Sequence, residues 1–234
     1  MMEWINNTVQ DIEPQEISNQ EEKIKVAKKV AEKVKEGDVI GFGSGSTSYL
    51  AIQEIAKKIE EENIHITAIP TSYEIKLLCQ SLKIPTASIL ECKPDWGFDG
   101  ADEVDKSHNW LIKGRGAALF KEKLNMVNSG LTYILVDESK FVDKLGEKFT
   151  IPIEVYPEAV NSVKEALLDL GMVECSLRKA QKKDGPVFTE NHNVILETKF
   201  VEIYETLEED IKSITGVIES GLFQDYPVEV LNFS

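Results

Sequence analysis

From Glu21 onward, Ile24, Ala27, Val30, Ala31 and Val34 recur at helical spacing, with lysines and glutamates between them and Gly37 closing the run. That pattern predicts an amphipathic helix. Val39-Ile40-Gly41-Phe42 then predicts a short buried strand. After the turn Gly43-Ser44-Gly45-Ser46-Thr47, the positions Leu50, Ile52, Ile55, Ala56 and Ile59 return to helical spacing. Ile64 to Ile69 alternates as a strand does. Pro70-Thr71-Ser72 opens a helix through Cys79, with Thr71 or Ser72 as its N-cap. Ile84 to Leu90 reads as another short strand. A strand ending at Asp99, a helix carrying Glu122, and the strand Tyr133-Ile134-Leu135-Val136 complete the alternation; the last delivers Asp137 and Lys140 at its C-terminal end. Strands alternating with helices predict an α/β fold with a Rossmann-like, mainly parallel sheet and helices on both faces.

The rhythm changes near Gly146. Pro152 to Val155 reads as a strand, Ala159 to Leu170 as a helix closed by Gly171, Glu174 to Arg178 and Asn193 to Phe200 as strands, and Thr206 to Ile214 as a short helix. This order predicts a small α+β domain of ferredoxin-like type. Gly221-Leu222-Phe223 and Val228-Glu229-Val230-Leu231 read as closing strands of the main sheet. The expected division is a catalytic domain over 20–146 with about 217–234, a small domain over 147–216, and an irregular arm over 1–19.

Charge narrows the function classes. Among 234 residues, 41 acids stand against 26 bases, a formal net charge of −15. No basic field is present to neutralise phosphates along a nucleic acid. An anionic small molecule would need a local positive pocket. Cys79, Cys92 and Cys175 are odd in number and widely spaced, as in a reduced, cytoplasmic protein. His65, His108 and His192 show no metal-ligand spacing, so no metal is expected. No apolar run approaches membrane-spanning length, and the N-terminus has no apolar signal core.

Candidate chemistry concentrates between Asp99 and Lys123. Asp99-Gly100-Ala101-Asp102 sets two acids among small residues at a strand end. Lys113-Gly114-Arg115-Gly116 sets a lysine before a glycine turn. Glu122 lies four residues after Ala118, on the same helix face. Each piece alone reads as solvated loop or turn chemistry; in this order they form a credible general acid/base site. The turn Ser44, Gly45, Ser46, Thr47 stands where a strand meets a helix N-terminus, and free amides and the helix dipole favour an anion there. It is neither a Walker loop nor a complete G-x-G-x-x-G. In a parallel sheet, ligands bind at the carboxyl ends of strands, where this turn, the Asp99 group and Lys140 all fall. Lys23, taken alone, reads as a solvated lysine.

The stretches Gly41–Thr47 (G-F-G-S-G-S-T), Pro70–Ser72 (P-T-S), Asp99–Glu103 (D-G-A-D-E), Lys113–Lys123 (K-G-R-G-A-A-L-F-K-E-K) and Asp137–Lys140 (D-E-S-K) resemble, in order and spacing, the ribose-5-phosphate isomerase family of the A type. The likeness runs from about Glu21 to the C-terminus. One departure is Ser44, where many members carry threonine. The resemblance implies an aldose–ketose isomerase interconverting ribose 5-phosphate and ribulose 5-phosphate in the pentose phosphate pathway. It implies Glu122 as the base that moves a proton through an enediolate, with Asp99 and Lys113 as partners in ring opening and oxyanion stabilisation. It further implies Ser44 to Thr47, Asp99 to Asp102 and Lys113 to Gly116 as substrate contacts, Lys23 and Lys140 as phosphate-side cations, no cofactor, and a homodimer or homotetramer. The alternatives are a sugar-phosphate sensor or binding protein, and a sugar-phosphate deaminase or acyl-CoA transferase on a similar sheet. A positioned base argues for catalysis, and no DNA-binding helix-turn-helix is evident.

Overall fold

The structure is a computed structural model that describes residues 17–232. The arm expected over 1–19 falls outside them except for its last three residues. In chain order the elements are α1 (Gln20–Ala31), β1 (Val39–Phe42), α2 (Gly45–Glu62), β2 (Thr67–Pro70), α3 (Tyr73–Ser81), β3 (Trp96–Asp99), β4 (Glu103–Asp105), β5 (Leu111–Ile112), α4 (Leu119–Asn128), β6 (Thr132–Leu135), β7 (Phe141–Val142), β8 (Ile151–Val155), α5 (Val160–Asp169), β9 (Met172–Leu177), β10 (Val194–Phe200), α6 (Leu207–Ser213), β11 (Val217–Ser220), β12 (Leu222–Phe223) and β13 (Val228–Leu231). They fall into two compact units. The first takes residues up to Gly100, Asn125–Glu138 and those from Pro227; the second takes Ala101–Leu124 and Ser139–Tyr226.

The first unit is built on a five-stranded sheet in the order β13-β6-β3-β1-β2, parallel throughout. Its strands read as short apolar runs because they are buried on both faces; Ile40, Phe42, Ala68 and Phe98 are almost wholly inaccessible. The apolar stripe of α1 (Val26, Ala27, Val30) and that of α2 (Leu50, Ala51, Ile52, Ile55) enter the same core. The helix after Pro70 is capped by Ser72, whose hydroxyl accepts from Ile75 N–H at 3.2 Å. The strand expected over 84–90 is absent. Only Thr86 bridges β2, at Ala68, with Pro85 O and Ala87 N–H making the two bonds. Pro85 has no N–H to extend a ladder.

The second unit holds two sheets. β8, α5, β9, β10, α6 and β11 follow in sequence, and their strands form an antiparallel sheet in the order β11-β8-β10-β9. Ile153, Val155, Val163, Leu167, Leu196, Leu207 and Ile211 pack as its core. The other sheet, β12-β5-β4-β7, is small and mixed, and its strands of two or three residues leave no readable periodicity in the sequence. Val217–Ser220 is therefore the fourth strand of the antiparallel sheet, and Leu222–Phe223 pairs with β5. Of the closing stretches, only Val228–Leu231 joins the parallel sheet.

Candidate active site

The expected site residues divide between the two units, and each group has its own construction. In the first unit they gather at the carboxyl ends of β1, β2 and β3. The chain leaves β1 through Gly43, whose N–H donates to Phe98 O at 2.8 Å. A Cβ at Gly43 would lie 2.2 Å from Asp99 Oδ1 and 2.6 Å from Asp99 Cα. Only glycine admits so close a passage of the two strand ends. Asp99 is 3% exposed, and its Oδ1 accepts from Ser44 N–H (3.2 Å) and Gly100 N–H (2.8 Å). The carboxylate is thus fixed by backbone donors on both sides.

Helix α2 begins at Gly45 (φ +86°), earlier than the apolar spacing alone suggests. Ser44 occupies the N-cap position but does not cap. Its hydroxyl bonds Thr71 Oγ1 at 2.7 Å and Ser72 Oγ at 3.3 Å. The first turn of α2, with Gly45, Ser46 and Thr47, therefore carries backbone amides without a side-chain cap, the arrangement that receives an anion. Lys23, buried on α1, donates from Nζ to Ser46 Oγ at 3.1 Å. This lysine, which reads as a surface group when taken alone, is held at the helix N-terminus. Thr71 and Ser72 complete the cluster. They lie in the P-T-S stretch, yet nothing in that tripeptide by itself indicates contact with Ser44.

In the second unit the centre is a buried ion pair. Lys113, directly after β5, places Nζ 3.2 Å from Glu122 Oε2, with the side chains 3% and 5% exposed. The turn between them is tight. Gly114 has φ +98° and would strike Leu119 and Pro152 with any Cβ, Ala117 has φ +60°, and Glu122 N–H donates to Ala118 O at 3.0 Å. The four-residue spacing thus marks the first turn of α4. Asp102, partly exposed next to Ala101, accepts from Arg115 N–H at 3.2 Å through Oδ2, which ties the acid to the glycine turn. Gly116 is exposed. Lys140 sits on a 3-10 turn with Nζ 5.2 Å from the centroid of the Phe149 ring.

A further residue of this unit escapes sequence reasoning. Lys123, next to Glu122, is 2% exposed and donates to Glu208 Oε1 (2.6 Å), Glu219 Oε1 (2.9 Å), Ser220 O (2.7 Å) and Leu222 O (2.9 Å). Burial pushes its ammonium below the usual lysine range, and the two carboxylates oppose that shift. The segment it grips also serves Lys113, whose N–H donates to Gly221 O at 2.9 Å. Its acceptors lie 85 to 99 residues away, so the only available signal is its place in the Lys-Glu-Lys run.

Among the described residues, no group of three or more His, Cys, Asp or Glu could hold a metal ion, and no helix is long and apolar enough to cross a membrane. A parallel sheet opening onto an uncapped helix N-terminus in the first unit, and a buried carboxylate against an ammonium in the second, are features of the α/β class of enzyme. The residues that build this arrangement also fix its lineage: the chain belongs to the ribose 5-phosphate isomerase A family. The profile of ribose 5-phosphate isomerase A (phosphoriboisomerase A) matches residues 67–232. The chain is 44% identical over 209 residues to ribose-5-phosphate isomerase A of Methanocaldococcus jannaschii, spanning 88% of this chain and 92% of the relative. The solved structure of the enzyme from that organism superposes with a TM-score of 0.88 at 43% identity, over 93% of this chain and 96% of the other. A D-ribose-5-phosphate isomerase in complex with phospho-erythronic acid superposes with a TM-score of 0.86 at 40% identity, over 92% and 96%.

Proposed function

We propose that this chain interconverts ribose 5-phosphate and ribulose 5-phosphate, with Glu122 as the base and no cofactor. The observation that carries the reading is the Lys113–Glu122 pair, 3.2 Å apart and almost inaccessible, in a chain of this family. In the open-chain aldose, Glu122 takes the proton from C2, and the electron pair moves into a C1–C2 double bond as negative charge develops on O1. The protonated carboxyl returns a proton to C1 while O2 gives up its own and O1 gains one, so the ketose forms with no net change in redox state. The charge on oxygen is the costly part of the barrier, and a buried ammonium beside it is worth more than one in water. Lys113 supplies that charge, and the backbone of Gly114–Gly116 can supply oriented donors. Asp99, with two backbone amides on Oδ1, is assigned the proton transfers of ring opening. The first turn of α2 with Lys23, and Lys140, are assigned the phosphate side. Ser44 to Thr47, Gly100 to Asp102 and Lys113 to Gly116 are assigned the remaining substrate contacts. Phospho-erythronic acid, in complex with the relative, pairs a phosphate with a carboxylate, the charge pattern that the substrate acquires only when its enediolate forms.

The same reading extends to organisation. Connections from β1 to β2 and from β2 to β3 run in opposite directions across the sheet. With right-handed crossovers this sends α2 and α3 to opposite faces, as in a Rossmann-like catalytic domain. The strand order β11-β8-β10-β9 with two helices supports a ferredoxin-like class for the small domain expected over 147–216, extended through β11 to Ser220. A cytoplasmic homodimer or homotetramer belongs to the proposal through the family.

The test is to incubate the purified, chelator-treated chain with ribose 5-phosphate deuterated at C2. Ketose should form without added metal, and deuterium should wash partly into solvent. Binding without turnover would favour a sugar-phosphate sensor. Full transfer of deuterium to C1 would replace the enediolate with a hydride shift, and activity restored only by a divalent ion would overturn the cofactor-free route.

A further inference from the structure

The loop that carries Lys113 is held from outside by a residue no motif points to. Arg178 follows β9, 63 to 64 residues further along the chain than the loop it touches. Its backbone is fixed by N–H donation to Ile195 O (2.9 Å) and by accepting from Val187 N–H (2.9 Å). Its Nη1 donates to Gly114 O at 3.0 Å and to Arg115 O at 2.9 Å. Its Nε donates to Glu197 Oε1, and the other oxygen of Glu197 accepts from Thr150 Oγ1. Thr150, Glu197 and Arg178 therefore form a braced clamp ending on two consecutive carbonyls of the Lys-Gly-Arg-Gly turn.

The consequence follows from peptide planarity. In a trans peptide the C=O and the N–H of the next residue point in opposite directions. Turning the carbonyls of Gly114 and Arg115 toward Arg178 turns the N–H groups of Arg115 and Gly116 away from it. The first of these donates to Asp102 Oδ2 at 3.2 Å, as this geometry requires. A flip of either peptide would present a carbonyl oxygen where the proposed reaction needs donors and positive charge. Ala117 N–H also donates to Gly114 O at 3.0 Å, so the Gly114–Arg115 peptide has a local hold besides Arg178, whereas the exposed Arg115–Gly116 peptide is held through Arg115 O by the guanidinium. A planar guanidinium serves the carboxylate and the carbonyls from one fixed fork, which a lysine ammonium does not reproduce.

We infer that Arg178 is a positioning residue for the isomerisation: it locks the peptides of the Lys113–Gly116 turn, so that Arg115 N–H stays on Asp102 and the Gly116 amide, not the Arg115 carbonyl oxygen, is turned toward the reacting sugar. The inference rests on the isomerase reading, and its test uses two readouts so that the two can fail separately. Purified wild type, Arg178→Gln, Arg178→Lys and Glu197→Gln are compared for kcat and KM on ribose 5-phosphate, for Tm, and for the rate of tryptic cleavage after Arg115 followed by mass spectrometry. In Arg178→Gln, kcat should fall by about 10- to 100-fold, the scale of a misplacement of about 1 Å, with KM changed less than about threefold because the phosphate contacts are elsewhere. Cleavage after Arg115 should quicken by about tenfold or more while Tm holds, since only the turn is released. Arg178→Lys should recover part of kcat, and Glu197→Gln, which keeps the carbonyl contacts, should lose less than Arg178→Gln. Unchanged kcat and unchanged cleavage in Arg178→Gln would overturn the inference, as would losses that merely track a fall in Tm. A wild-type chain without isomerase activity, but with the cleavage difference intact, would overturn the isomerase reading and leave the clamp standing.

Discussion

At the scale of residues, two neighbours on one helix meet different partners. Glu122 faces Lys113, and Lys123 faces away into the buried pair Glu208 and Glu219. Glu122→Gln keeps shape and hydrogen-bonding capacity but removes basicity. Steady-state assays should show kcat lower by about 10²–10⁴-fold, or about 3–5 kcal/mol of barrier, with substrate affinity near that of the wild type and a lowered Tm, because the buried Lys113 ammonium loses the carboxylate it faces. Near-normal turnover in a folded variant would return Asp99 or Asp102 to consideration as the base. Lys123→Met should behave otherwise. It takes the ammonium from buried Glu208 and leaves Glu219 with Lys212, whose Nζ lies 3.2 Å from Oε2, and breaking a buried pair this way costs about 3–5 kcal/mol. Urea unfolding should show that loss, and Lys123→Met combined with Glu208→Gln and Glu219→Gln should recover most of it. Of these roles, the spacing of Ala118 and Glu122 made Glu122 legible. Lys123 was illegible because its four acceptors come from elements far along the chain.

At the scale of elements, glycines decide which strand ends can meet. Gly43 lets the end of β1 pass over Asp99 at the end of β3, and no rotamer relieves a Cβ 2.6 Å from a backbone Cα. Gly43→Ala should cost about 1–3 kcal/mol or more through overpacking and displace Ser44 N–H from Asp99. Gly116→Ala is the control: a Cβ there meets nothing within 4 Å, so thermal unfolding should place it within about 0.5 kcal/mol of the wild type. A Gly43→Ala chain as stable as Gly116→Ala would show that the strand ends can separate without cost. The longer helices and β1 were readable because four apolar residues in a row, or a stripe at helical spacing, survive any tertiary context. The strands β4, β5, β7 and β12 were not. Two or three residues hold no period, and pairing across the chain alone makes them strands.

At the scale of the whole molecule, the parallel-sheet core also sets a response to pH. Cys79 lies fully buried in that core, and burial pushes its thiol up from 9.0 to about 12. Between these values the unfolded chain gives up the thiol proton and the folded chain keeps it, so stability is intact below pH 9 and falls as pH rises toward 12, by about 1.4 kcal/mol per pH unit. Denaturant titrations of wild type and Cys79→Ala isolate this effect, because other alkaline groups cancel in the difference. The advantage of wild type should be constant up to about pH 9 and shrink above it; a constant difference up to pH 11 would refute the linkage. The sequence by itself determined the alternation of strand and helix, the anion-favouring turn after β1, and the candidate set from Asp99 to Glu122. These are local: periodicity, glycine placement and helix spacing are properties of short stretches. Only the tertiary structure decided that Lys23 reaches Ser46, that Ser44 bonds Thr71 instead of capping its helix, that Val217–Ser220 closes the antiparallel sheet, and that Lys123 and Arg178 brace the residues around them. Each of these joins groups distant in the chain, and such a bond is fixed by the packing of whole elements, which no local pattern of residues encodes.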